Sequence, residues 1–160
     1  MSSIILGINA YHGDSAACIV VDGTLIAAVE EERFKRIKHW AGFPAESIRY
    51  CLEEAGIQLQ DVNYLAINTD PKANFINKLM YIAFKRPSLS LILDRLSKGN
   101  EKKSIVDEFE AYFPNDEFLG EVKYVEHHLA HLASAHLVSP FQNSVAVSVD
   151  GFGDFSSGCS

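Results

Sequence analysis

The sequence predicts an α/β domain built on a mixed sheet, and three observations carry that prediction. Ile4-Ile5-Leu6-Gly7-Ile8 is a continuous apolar run, the pattern of a buried central strand. Two more apolar stretches, Ala16 to Val21 and Thr24 to Val29, are joined by Asp22-Gly23, a strong two-residue hairpin signal. A helix over Pro44 to Ala55 then leads to a fourth strand, Val62 to Asn68, so the chain opens β-β-β-α-β.

Each element has its own warrant. Asn9-Ala10-Tyr11-His12-Gly13-Asp14-Ser15 is polar and reads as the loop after the first strand. A strand, a polar loop and a hairpin also open the nucleotide-binding domains of sugar kinases, Hsp70 and actin, where the first turn meets phosphates through backbone N–H groups. In the helix, Pro44 suits the first turn, Ile48, Cys51, Leu52 and Ala55 form the apolar stripe, and Gly56 supplies the cap. The charged run Glu30 to His39 reads either as a solvated face or, through Arg33, Arg36 and Lys38, as an anion-holding cluster beside the His12 loop. Trp40 and Phe43 belong to the core or wall a pocket.

From Asp70 to Phe118 three helices are expected, over Asn74 to Phe84, Leu89 to Lys98 and Glu101 to Phe113. They are broken at Pro87 and Gly99-Asn100, and Pro114 ends the last. The block is locally basic and reads as a helical insertion over the sheet, a lid or acceptor wall, or as plain cover for the core. The remainder is a strand over Glu121 to Val125, a helix to about Val138, and a strand over Val145 to Val149 that ends at Asp150-Gly151.

Composition sets limits. With 160 residues, 48% hydrophobic and 22% charged, the chain has the makings of one soluble globular domain. A net charge of −7 argues against nucleic acid as a partner, because phosphate neutralisation needs a basic face. No membrane span is expected, since Lys78, Lys85, Arg86 and Pro87 interrupt the apolar stretch from Phe75 to Leu93. Cys18, Cys51 and Cys159 are scattered and form no C-x-x-C pair, which points to buried thiols in a reducing cytoplasm. The ending at Gly158-Cys159-Ser160 reads as a cut through something longer. An unfinished sheet exposes an edge, so a homo-oligomer is expected of the isolated piece.

Four of the six histidines lie in one stretch, Tyr124 to His136. Read as a helix, it sets His127 and His131 on one face, the spacing of two cis metal ligands. His128 and His131 are a second pair at three residues, and spacing does not choose between them. Asp150, at the end of the strand downstream, adds a carboxylate, and two His with one carboxylate is a recurrent set for a divalent transition metal. Gly151 and Gly153 leave backbone amides free to face a phosphate, although Asp150-Gly151 also reads as a plain hairpin turn.

Together these residues carry a resemblance. Ile5-Leu6-Gly7-Ile8 with Asp14-Ser15-Ala16-Ala17, Val21-Asp22-Gly23, Glu30-Glu31-Glu32-Arg33-Phe34, Lys38-His39, His127-His128-Leu129-Ala130-His131 and Val149-Asp150-Gly151 resemble, in order, the N-terminus of the carbamoyltransferase family. The family includes nodulation and antibiotic O-carbamoyltransferases. The similarity is thinnest between Asp70 and Phe118. It implies an actin-like (ribonuclease H-like) ATPase lobe, related to the tRNA threonylcarbamoyl-transferring domain, of which residues 1–160 are the N-terminal part. The second lobe and a YrdC-like domain lie outside this chain.

The resemblance further implies that the YrdC-like domain makes carbamoyl adenylate from carbamoyl phosphate and ATP. The actin-like domain then passes the carbamoyl group to a hydroxyl of a small-molecule acceptor. It implies a metal, iron in characterised relatives and so Fe2+ here, held by His127, His131 and Asp150. His12 matches the loop histidine near the transfer site, across a one-residue insertion, and Lys38 the lysine of that pocket. Asp14, Ser15, Arg33, Gly151 and Gly153 are expected on the nucleotide side. The alternatives are a sugar-kinase-like or tRNA-modifying member of the same superfamily, and a non-catalytic binding module. Against a kinase, Mg2+ prefers oxygen ligands, which leaves the histidine pair without a use.

Overall fold

The structure, a computed structural model, describes residues 2–11, 13–69, 105–153 and 156–159, with 106, 150–153 and 156–159 given by their backbone alone. The chain divides into two compact units, Met1–Asn68 with Ser104–Lys123, and Thr69–Lys103 with Tyr124–Ser160.

The first unit is organised on a five-stranded mixed sheet. Its strands are β1 (Ile4–Asn9), β2 (Ala16–Val21), β3 (Thr24–Glu30), β4 (Tyr64–Ile67) and β5 (Glu121–Tyr124), in the spatial order β3-β2-β1-β4-β5. The hairpin forms where Asp22-Gly23 places it, both residues taking the positive φ (50° and 80°) that a tight two-residue turn requires. β1 pairs antiparallel with β2 and parallel with β4, the latter after the helical crossover. This is the mixed α/β lobe that the opening of the sequence predicts.

The core follows from alternation. Leu6 and Ile8 on β1, Ala17 and Ile19 on β2, and Leu65 and Ile67 on β4 are buried. α2 (Ala45–Ala55) packs across β2 and β3 through a stripe that includes Ile48, Cys51 and Leu52. Gly56 closes it at φ 65°, its N–H meeting the carbonyls of Leu52 and Glu53. Within the charged run a single short turn of helix forms, α1 (Glu32–Lys35). α3 (Ile105–Tyr112) docks by Phe109, whose ring lies edge-on to Phe43 at 5.2 Å and stacks on Phe118 at 5.6 Å. Phe43, 5% exposed, is thus core. The expected helices over 74–84 and 89–98, and the first residues of the third, lie outside the described residues.

In the second unit, α4 (His127–Leu137) packs on a two-stranded antiparallel sheet of β6 (Ser148–Gly153) and β7 (Ser156–Cys159). Here one expectation is corrected. The strand starts at Ser148, not Val145, and runs through Asp150 and Gly151, so Asp150-Gly151 is no hairpin turn. The ladder decides this: Ser148 pairs with Cys159, Val149 with Gly158 and Gly153 with Ser156, with an irregularity between Val149 and Gly153. Among the described residues no helix is long and apolar enough to cross a membrane.

Candidate functional site

Two clusters carry the candidate chemistry, one in each unit. The first is the β1–β2 loop. Asn9, the last residue of β1, turns its amide onto the loop it precedes and donates to the Asp14 carbonyl at 3.0 Å. Asn68, just past β4, donates in turn to Asn9 Oδ1 at 3.2 Å. Tyr11 and Asp14 both take φ 64°, a left-handed backbone that Asp tolerates better than most residues. Asp14 Oδ1 lies 2.8 Å from His39 Nδ1, with both side chains more than half exposed. The Tyr11 phenol is pushed well above its usual range, first by burial and then by the Glu108 carboxylate to which it is hydrogen-bonded.

Ser15 is fully buried, and its hydroxyl is engaged on both sides by one residue. It donates to the Gly42 carbonyl at 2.9 Å and accepts from the Gly42 N–H at 3.0 Å. The Ser15 N–H also reaches the Trp40 carbonyl at 3.0 Å, so segment 40–42 is clipped to the loop. Ser15 therefore shapes the turn. Arg33 is exposed and pairs with Glu30 at 3.1 Å and Glu32 at 3.5 Å. An incoming anion would have to displace pairs of that exposed kind, worth about 0–1 kcal/mol each. Lys38 is exposed in the adjoining turn and forms no ion pair with another described residue. His12 lies outside the described residues.

The second cluster is on α4. Glu126 opens the helix as its N-cap, its carboxylate accepting from the Leu129 N–H at 2.7 Å. From there the helical period separates three neighbouring imidazoles. His127 and His131 stand one turn apart with their Nε2 atoms 3.1 Å from one another and ring centroids at 4.6 Å. His128 points elsewhere: it is fully buried, with Nδ1 2.9 Å from Ser148 Oγ on β6. The structure thus brings His127 and His131 face to face through Nε2 and turns His128 Nδ1 to the strand.

That pair fits a cation. Two bonds of about 2.1 Å to one ion, closing on nitrogens 3.1 Å apart, meet at about 95°, near the cis angle of an octahedron. Two imidazole nitrogens suit zinc, iron, nickel or copper rather than magnesium or calcium. Among the described residues no group of three or more His, Cys, Asp or Glu gathers to complete a centre. Asp150 is given by its backbone, on β6 two residues past Ser148; Gly151 and Gly153 follow on the same strand.

Sequence reasoning missed what three residues do here. Glu31, in the supposedly solvated run, is fully buried: its carboxylate accepts from the Ser47 N–H and hydroxyl, both at 2.8 Å, and from the Glu46 N–H at 3.2 Å, capping α2 from outside the helix. The signal was the period of β3, since Ala27 and Val29 share one face and Glu31 follows two residues on, one past the end of the strand. His39, rather than its neighbour Lys38, is the side chain that meets the loop. His128 carried no signal of its own beside two other histidines.

The solved structure of YeaZ from Pseudomonas aeruginosa aligns with a TM-score of 0.42 at 16% identity, over 83% of this chain and 47% of that one. The uncharacterized protein sll1178 of Synechocystis sp. is 39% identical over 158 residues, which is 94% of this chain and 26% of that protein. Nodulation protein NolNO of Sinorhizobium fredii is 37% identical over 151 residues, 94% of this chain and 21% of that protein. The chain thus spans about a quarter of the length of these relatives. The model of the carbamoyltransferase N-terminus matches residues 4–158, nearly the whole chain, and the chain belongs to the carbamoyltransferase family.

Proposed function

We propose that this chain is the N-terminal part of an O-carbamoyltransferase. The full protein converts carbamoyl phosphate, water and ATP to carbamoyl adenylate, with phosphate and pyrophosphate leaving, and delivers the carbamoyl group to a hydroxyl of a small-molecule acceptor. The reading is supported chiefly by the facing Nε2 atoms of His127 and His131 in a chain of this family. It takes the reaction to be cytoplasmic, without nucleic acid or membrane.

The chemistry asks little covalent work of the protein. The acceptor oxygen bonds to the carbamoyl carbon, the bond from that carbon to the adenylate oxygen breaks, and AMP leaves with the electron pair. The acceptor proton goes to a base, and His12 is assigned that role because an imidazole titrates near neutrality. Lys38, exposed and without an acidic partner among the described residues, is assigned to the negative charge on the leaving phosphate. The Asp14–His39 pair and the Ser15–Gly42 clip hold the shape of the turn on which His12 sits in sequence. His127, His131 and Asp150 are the residues that would hold a divalent metal, Fe2+ by resemblance. When bound it supplies Lewis acidity and a template for phosphate and carbonyl oxygens. Asp14, Arg33 and the Gly151 and Gly153 amides are proposed on the nucleotide side.

The test uses the full-length protein with labelled carbamoyl phosphate, ATP and a panel of sugar and aminoglycoside acceptors. Pyrophosphate release with label appearing on a hydroxyl is expected. His127→Ala and His131→Ala are each expected to lose metal content and transfer while pyrophosphate formation persists. Metal content unchanged in both variants removes the ligand assignment, and ATP consumed without carbamoyl phosphate, giving a phosphorylated acceptor, means a kinase instead.

A further inference from the structure

We propose that His128 is a positioning residue for the His127/His131 pair, and that Ser148 is its anchor. The inference rests on the metal reading above and extends it to two more side chains.

Four observations lead there. His128 is fully buried, although His127 before it is half-buried and Leu129 after it is exposed. A buried imidazole left without partners is costly, and Nδ1 meets Ser148 Oγ at 2.9 Å. Ser148 is itself 7% exposed, whereas Val147 and Val149 on either side are 67% and 85% exposed. Strand alternation therefore makes Ser148 the position on which β6 faces α4. Finally, the His128 ring lies edge-on to His127 at 5.4 Å between centroids and 6.3 Å from His131, so it backs both members of the pair.

The consequence is one of register. α4 is fixed at its start by the Glu126 cap and one residue inside by the His128–Ser148 bond. Rotation of the helix about its axis would turn the two Nε2 atoms relative to β6, and sliding along the strand would change their level relative to Asp150, two residues beyond Ser148. One buried bond blocks both motions. A hydrophobic residue at 128 would fill the volume but leave rotation and sliding governed by packing, which is not directional.

The test is cobalt(II) binding to tag-free full-length protein, followed by chelator competition for affinity and by the visible d–d spectrum for ligand geometry. Ser148→Ala removes the anchor with little change in volume, and Ser148→Thr restores a hydroxyl. Ser148→Ala is expected to weaken cobalt about tenfold or more, the usual range for removing a supporting hydrogen bond near metal ligands, and to alter the spectrum. Ser148→Thr is expected within about threefold of the parent. His128→Asn, whose amide mimics Nδ1, is a second variant that should also stay closer to the parent than His128→Phe. Ser148→Ala binding like the parent, or Ser148→Ala and Ser148→Thr losing affinity equally, overturns the proposal. If His127→Ala still abolishes binding in that case, the metal reading stands without this support. If His127→Ala and His131→Ala also bind cobalt like the parent, it is the metal reading that has failed.

Discussion

Replacing Glu31 with Ala should destabilise the chain far more than its place in an acidic run suggests. The carboxylate is fully buried and accepts three hydrogen bonds, two of them from Ser47, which is itself fully buried. Truncation leaves the Ser47 N–H and hydroxyl without an acceptor and without water. A stranded buried donor costs about 1–3 kcal/mol. The Glu46 N–H loses a longer bond, but Glu46 is near the surface and water can take over. Loss of negative charge at the start of α2 adds about 0.3–1 kcal/mol. The expected total is about 3–5 kcal/mol, the range for removing one member of a buried charged network.

Glu31→Gln separates the terms. It keeps volume and one carbonyl for Ser47, but turns an NH2 group toward the Glu46 N–H. Its expected cost is smaller, about 1–2 kcal/mol. Equilibrium urea unfolding reads both, with the slope against denaturant unchanged if the variants fold to the same structure. Lys35 Nζ, 3.9 Å from Glu31, only donates and so cannot replace the lost acceptor in either variant. An Ala variant within about 1 kcal/mol of the parent, or a Gln variant as unstable as Ala, would refute the capping argument.

Two further outcomes follow from other buried groups. Ser15→Ala strands the Gly42 N–H, while the Gly42 carbonyl keeps the Tyr11 N–H at 3.2 Å, so unfolding free energy should fall by about 1–3 kcal/mol, and amide exchange at Gly42 should quicken; an unchanged stability would return Ser15 to a purely ligand-facing role. Burial, with a smaller contribution from neighbouring Cys18, pushes the Cys51 thiol up to about 12, while unfolded Cys ionises near 8.5. Below that value both states keep the proton and pH has no leverage. Above it only the unfolded chain releases the proton, so stability should decline from about pH 8.5 toward 12 by up to about 1.4 kcal/mol per pH unit from this thiol. Cys51→Ala should flatten that slope in urea titrations at successive pH values, and an unaltered slope would disprove the assignment.

The sequence was most legible where period and turn chemistry agree. Asp22-Gly23 gave the hairpin to the residue, and Gly56 gave the end of α2, because each position demands a backbone that few residues adopt. The strand over Val145 to Val149 was misplaced because apolar alternation marks residues able to sit in a strand, whereas β6 is bounded by where β7 offers hydrogen bonds. The histidine helix was legible as an element, but its chemistry was not. Spacing cannot tell that His128 turns its Nδ1 to Ser148, twenty residues on, while His127 and His131 face one another.

Glu31 and His128 show why motif reading stops short. Each sits inside a stretch that carries the family resemblance, Glu30-Glu31-Glu32-Arg33 and His127-His128-Leu129-Ala130-His131, and each is the fully buried polar residue of its stretch. In both, the buried member bonds to a different element: Glu31 to the start of α2, His128 to β6. A polar residue buried at that cost is kept in place by its partner, and the partner fixes the direction of everything beside it. Variants at Glu31 should therefore register first in folding. Variants at His128 should register in metal affinity, because α4 keeps its cap at Glu126 and loses only its orientation.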